Sequence, residues 1–280
     1  MKHLVVFALV ACGGTPAAPV HNAKPRPTLV RFTPKLKGEK RVRFDRLAAD
    51  LPSPCGRAHS LVTSLEADPS CLRTPHALRY LERLLSYDAP DEEVRKIYDG
   101  RYRFPKVVSI DLSHAPVVGD AEASVKLVEF FDFECPHCAD FAPMLRAVEA
   151  KFGHRIGVFY KNFPLLRHHP AARGAAIAAV AAQQQGKFIE MSELIFKHQA
   201  YVSPIDLESY AAKLGLDLER FRRDVAAPET AAIVDADIAE ADALKLDHVP
   251  TLFVNGRLYD GVMNELEVTD VVEEELEIAP

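Results

Sequence analysis

Cys135-Pro136-His137-Cys138 carries the most reactive chemistry in this sequence, two thiols with two residues between them. Such a pair either cycles between dithiol and disulfide or supplies half of a zinc site. Zinc usually takes four ligands, and no second CxxC or His-x3–5-His stands near enough to complete a set. His168 and His169 precede Pro170 and read as loop rather than as a ligand pair. The redox reading therefore leads. It needs one accessible, ionised sulfur and a second held beside it.

Helical spacing separates the two roles. Cys138, Phe141, Leu145, Val148 and Phe152 step by 3, 4, 3 and 4 residues, which is one face of a helix. Cys138 belongs to that apolar stripe, whereas Cys135 falls one turn earlier, at the helix mouth and within reach of solvent. Pro143 interrupts the pattern and predicts a kink rather than a stop, since the stripe continues past it. A thiolate at a helix N-terminus is stabilised by unpaired N–H groups and the positive end of the macrodipole. The pKa of Cys135 is therefore expected to fall, and a protonated His137 to lower it further. The thiolate exists only in the reduced state, so each pKa unit makes the disulfide more oxidising by on the order of 30 mV.

Positioning these groups takes an α/β scaffold. Val107-Val108-Ser109-Ile110, Val125 to Phe131 and Ile156 to Tyr160 are β-branched and aromatic and read as strands. The second is apolar on both faces at its end, as a central strand would be. Glu129 interrupts that run. Residues 168–246 are Ala-rich with helical spacing, and Thr251 to Val254 leads into Asn255-Gly256, a hairpin signal.

Two segments carry a family resemblance. Leu127 to Glu134, Leu-Val-Glu-Phe-Phe-Asp-Phe-Glu, leads into Cys-Pro-His-Cys and closely resembles the active-site segment of the DsbA family of bacterial thiol oxidases. His248 to Gly256, His-Val-Pro-Thr-Leu-Phe-Val-Asn-Gly, resembles that family's cis-proline loop and following strand. The resemblance covers residues 105–280 and implies a thioredoxin-like domain with a helical insertion at 168–246. It implies that Cys135 attacks, that Cys138 resolves, and that Val249 and Pro250 form the loop where substrate backbone pairs as an added strand. The Pro136-His137 pair favours oxidation. Glu129 stands where this fold often has a buried carboxylate and would relay a proton to or from Cys138; otherwise it is an exposed strand-edge acid. Asp132 and Glu134 read as loop acids.

The rest of the chain bears on location. After Met1-Lys2-His3 a short apolar run spans Leu4 to Ala11, and Leu9-Val10-Ala11-Cys12-Gly13 resembles the lipobox of bacterial lipoproteins, which implies a lipid on Cys12. Residues 13–43 hold eight Lys or Arg and one acid, and read as a flexible basic tether. Residues 44–102 form a small helical unit, with Leu78, Leu81, Leu84 and Leu85 as its stripe and Asp91-Glu92-Glu93 opening another helix after Pro90. Cys55 and Cys71 lie in this unit without metal-ligand spacing, and a structural disulfide is expected. The stretch from Glu265 to Glu277 is strongly acidic. A net charge of -6 excludes a general nucleic-acid binder.

The expected protein is thus a lipid-anchored thiol–disulfide oxidoreductase of the bacterial cell envelope, facing the periplasm. It needs no cofactor beyond its redox-active disulfide. Its partners are exported proteins with free cysteines and a membrane redox protein that resets it. Two alternatives stay open: a reductase or isomerase, with residues 44–102 as a dimerisation unit, and a non-catalytic binding lipoprotein in which Cys135 is buried and permanently paired.

Overall fold

β2 (Val125–Phe131) and β3 (Ile156–Asn162) pair in parallel at the centre of a five-stranded sheet in the computed structural model, which describes residues 32–103 and 106–279. β1 (Val117–Gly119) adds antiparallel to β3, and β4 (Thr251–Val254) and β5 (Arg257–Tyr259) extend the other side as a hairpin, giving the order β1-β3-β2-β4-β5. Every residue of β3 is buried, and β2 is buried except at Lys126, as strands covered on both faces must be. Asn255 and Gly256 turn the β4–β5 hairpin with φ of 50° and 73°. A side chain at Gly256 would meet the carbonyl oxygen of Val108 at 2.4 Å, so the position requires glycine twice over.

Residues 107–110 do not form the expected strand. Their tie to the sheet is one bond, Val108 N to Gly256 O at 2.8 Å, and Val107 is 59% exposed, so β-branching acts without a ladder to join. The edge beside β3 is taken instead by β1, three residues that sequence periodicity does not reveal.

Between β2 and β3 runs α5 (Pro136–Phe152), uninterrupted through Pro143, with Cys138, Phe141, Leu145, Val148 and Phe152 all buried. After β3 come α6 (Ala172–Gln183), α7 (Phe188–Lys197), α8 (Pro204–Lys213), α9 (Leu218–Ala226) and α10 (Pro228–Ala243), the helical block expected at 168–246. Lys161 of β3 ties α10 to the sheet through Asp237 at 2.6 Å and Glu240 at 3.0 Å. α11 (Glu265–Ile278) closes the domain against α5 and β2.

Ahead of the sheet stand α1 (Gly38–Asp50), α2 (Leu61–Ala67), α3 (Thr74–Ser86) and α4 (Asp91–Tyr102), with a core of their own that includes Leu47, Leu61, Leu81, Leu85, Val94 and Tyr98. The expected tether through residue 43 is corrected here, because α1 begins at Gly38. The basic side chains that suggested a solvated segment have acidic partners within the unit, Lys40 with Asp88, Arg41 with Asp45 and Arg43 with Asp91, while Phe44, Leu47 and Ala48 face inward. Cys55 and Cys71 are joined in a disulfide that spans α2, with 16 residues of sequence separation. Cys12 and residues 13–31 lie outside the described residues.

The acidic C-terminal stretch also finds its reason. Arg83 grips Glu267 with two bonds of 2.7 and 2.8 Å and reaches Asp270 at 3.0 Å. Arg101 donates to Asp270 and Glu274, each at 2.7 Å, with its guanidinium 4.4 Å from the Tyr80 ring centre. Arg73 bridges Glu274 and Glu275. α3 and α4 thus present arginines to the acids of α11, and Glu267 and Glu274 sit at 2% and 1% exposure because their charges are matched. From Phe32 onward the chain is one compact unit.

Candidate active site

Cys135 caps α5 at the end of the loop leaving β2, and Pro136 opens the helix, where its missing N–H costs nothing. Asp132 fixes that loop. Its side chain is fully enclosed and accepts from Glu134 N, Leu165 N and His169 Nδ1, each at 2.7 Å. Glu134 in turn accepts from Ala171 N, at the start of α6, at 2.7 Å. Gln199 donates to the carbonyls of Phe133 at 2.7 Å and Cys135 at 3.0 Å. Asp132 and Glu134 are therefore more than loop acids: they fasten the CxxC loop to the helical block. Neither Gln199 nor His169 was legible in the sequence, since each meets the loop from more than thirty residues away.

Cys135 and Cys138 are both free thiols. Cys138 is fully buried, as its place in the stripe requires. Cys135 is 5% exposed, which corrects the expected solvent-facing position. The cover comes from the Val249–Pro250 loop, whose peptide bond is cis and whose Val249 carbonyl lies 3.8 Å from the Cys135 sulfur. Pro136 and His137 remain exposed beside it.

The two thiols differ strongly in acidity. Cys135 is lowered from 9.0 to about 6, chiefly by a hydrogen bond from Cys138 and then by the backbone N–H groups of Cys138 and His137; burial and Asp132 oppose this. The peptide N–H of His137 contributes to this lowering. Cys138 moves the other way: burial, the hydrogen bond it gives to Cys135, and Glu129 push its thiol far up. Glu129 is 2% exposed on β2, so the strand-edge alternative does not hold. Burial, with the charge of Glu149, raises it from 4.5 to about 8, so near neutral pH it holds its proton. A cleft of about 410 Å³ opens onto Glu129 from the side of α7. The arrangement can ionise one sulfur while protonating the other, as exchange between a dithiol and a disulfide demands.

Residues 112–274 match the family model described as Thioredoxin. A thioredoxin-like oxidoreductase from Silicibacter pomeroyi is 29% identical with a TM-score of 0.54, over 60% of this chain and 95% of that one. Oxidised BdbD from Bacillus subtilis is 22% identical with a TM-score of 0.55, over 62% and 98%, and shows the shared fold. The Na(+)/H(+) antiporter NhaA 1 of Salinispora arenicola is 40% identical over 158 residues, 56% of this chain and 24% of the antiporter. The chain thus spans about a quarter of the length of the curated relatives it matches. Among the described residues no helix is long and apolar enough to cross a membrane. With its sheet, CxxC helix and helical insertion, the chain belongs to the thioredoxin family.

Proposed function

We propose that this protein oxidises dithiols of exported proteins in the cell envelope through the Cys135–Cys138 disulfide. The observation that carries the reading is the opposed acidity of the two sulfurs, Cys135 at about 6 and Cys138 pushed far up. A substrate thiolate attacks Cys135 in the disulfide and a mixed disulfide forms. Cys138 leaves, and Glu129 supplies the proton that a buried thiolate takes up at once. The second substrate thiol then attacks the mixed disulfide and releases Cys135 as a stable thiolate, a good leaving group because its pKa is low. Val249 and Pro250 offer the backbone against which the substrate pairs. A membrane redox protein then restores the disulfide. The Cys55–Cys71 bridge serves the helical unit and not exchange.

The test uses Cys138→Ala, which leaves Cys135 reactive with nothing to resolve it. It should accumulate mixed disulfides with reduced peptides, and Cys135→Ala should accumulate none. The wild-type disulfide should oxidise a dithiol peptide faster than the dithiol form reduces a disulfide peptide. The opposite ratio would establish the reductase alternative.

Anchoring through Cys12 belongs to the same reading, on the strength of Leu9-Val10-Ala11-Cys12 and the basic residues that follow. The intact mass of protein extracted from membranes should correspond to a chain that starts at acylated Cys12. Unchanged membrane partitioning of Cys12→Ser would defeat it.

A further inference from the structure

Behind the wall of the cleft at Glu129 lies a second buried acid, Glu149, that the sequence did not single out. The cleft is lined by Glu129, Arg146 and Tyr160 together with the rings of Phe131, Phe188 and Phe196. Tyr160 is the register partner of Glu129 on β3, so the two side chains leave the same face of the sheet side by side. The Tyr160 hydroxyl donates to Glu149, and Arg146 donates to the same carboxylate and, at 3.4 Å, to the Tyr160 oxygen. Glu149 lies about three turns along α5 from Cys138. Glu129 has no such help: its Oε1 is without a hydrogen-bond partner among the described residues.

Two buried carboxyl groups near enough to feel each other's charge cannot both ionise cheaply. Burial raises the proton affinity of both, but Tyr160 and Arg146 oppose the rise at Glu149, so Glu129, without donors, is the one to take the proton. We infer that Glu149, fixed by Tyr160 and Arg146, is a positioning residue whose carboxylate keeps the proton on Glu129, ready for Cys138. The inference rests on the proposed role of Glu129 as proton partner of Cys138. The groups facing Glu129 are Cys138, Arg146 and Glu149 from α5, Tyr160 from β3, and Glu193 and Lys197 at the cleft rim on α7; its β4 neighbour, Leu252, does not titrate. Glu149 raises the proton affinity of Glu129, in keeping with the geometry.

The exchange then balances as follows. A substrate thiolate forms a bond to the Cys135 sulfur as the Cys135–Cys138 bond breaks, and the electron pair leaves on Cys138. That thiolate takes the Glu129 proton. The new Glu129 carboxylate stands near charged Glu149, and the repulsion favours uptake of a proton from the cleft. When a mixed disulfide resolves, the Glu129 carboxylate removes the Cys138 proton, Cys138 attacks Cys135, and the substrate leaves as thiolate.

The experiment follows release of glutathione from its mixed disulfide with Cys135 in single turnovers across pH. The rate should rise with pH through the titration of Glu129, about 8 in the wild type. Glu149→Gln keeps the shape and the acceptor for Tyr160 but removes the charge, and should move the midpoint down by on the order of one pH unit. Tyr160→Phe should move it the same way by less, and serves if Glu149→Gln does not fold. Glu193→Gln, at the exposed rim where solvent screens its charge, should move it far less. An infrared titration of the buried carboxyl band should show the same displacements, which a purely structural role for Glu149 would not produce. A midpoint unmoved in both Glu149→Gln and Tyr160→Phe, with the limb abolished in Glu129→Gln, overturns the role of Glu149 alone. A limb that survives Glu129→Gln overturns the Glu129 reading beneath it.

Discussion

From about pH 6 to pH 9 the midpoint potential of the Cys135–Cys138 couple should fall by only about 30 mV per pH unit, against about 60 mV below pH 6. The reason lies in which sulfur holds a proton after reduction. Cys135 titrates at about 6, while Cys138 stays protonated throughout this range. Reduction therefore takes up two protons below pH 6 and one above it, and each proton per two electrons contributes about 30 mV per unit. Because the pKa of Cys135 is lowered, the stabilisation of the reduced form starts as pH climbs past 6 and is complete only above the ordinary 9.0. At pH 7 the thiolate outnumbers the thiol about tenfold, whereas an ordinary cysteine remains a thiol. That is about 1.4 kcal/mol, or ~30 mV. The whole interval from 9.0 to about 6 corresponds to about 4 kcal/mol and ~90 mV, reached only at alkaline pH. Equilibration with glutathione buffers at a series of pH values, followed by acid quenching and alkylation, gives the slope directly. His137→Ala should leave the bend near pH 6, since the peptide N–H survives the substitution. A slope of about 60 mV persisting beyond pH 8 would show Cys135 to be an ordinary thiol. A bend displaced by His137→Ala would return the effect to the imidazole.

Two further expectations concern the helical unit. Replacing Cys55 and Cys71 together by alanine should cost about 3 kcal/mol of stability through lost loop closure, with thiol exchange near normal; calorimetry and peptide oxidation read the two separately. Arg101→Met should cost about 3 kcal/mol, because Asp270 and Glu274 keep their burial and lose a partner, whereas Arg95→Met, in an exposed pair with Asp50, should cost under about 1 kcal/mol. Equal losses in chemical denaturation would mean that the Arg101 network contributes no more than a surface pair.

The parts of the fold legible in the sequence are those written in local spacing. The stripe from Cys138 to Phe152 identified α5 and its buried face, and Asn255-Gly256 identified the hairpin, because period and turn chemistry act within a few residues. Residues 107–110 show the limit: their composition suits a strand, but pairing is decided by a neighbour, and β1 holds the edge of β3. The basic stretch before Phe44 resembles a tether for the same reason, since its acids lie mostly tens of residues away, at Asp88 and Asp91. In the candidate site, residue types located the two sulfurs and Glu129. The surroundings that set their acidity, Gln199, His169 and the Tyr160–Glu149 pair, come together only through the crossing of α5, β3 and the helical block.

The arginine contacts to α11 also constrain the order in which the molecule can assemble. Arg101 and Glu274 lie 173 residues apart and Arg73 and Glu275 202, whereas the Cys55–Cys71 bridge spans 16. A chain emerging from its N-terminal side can close the short loop and fold α1–α4 long before α11 exists. Until then the guanidinium groups of Arg73, Arg83 and Arg101 stand in water, an environment they tolerate well. An apolar seam in the same place would leave sticky surface exposed throughout synthesis. A charged one lets the early unit wait in soluble form and lock only when the late helix arrives.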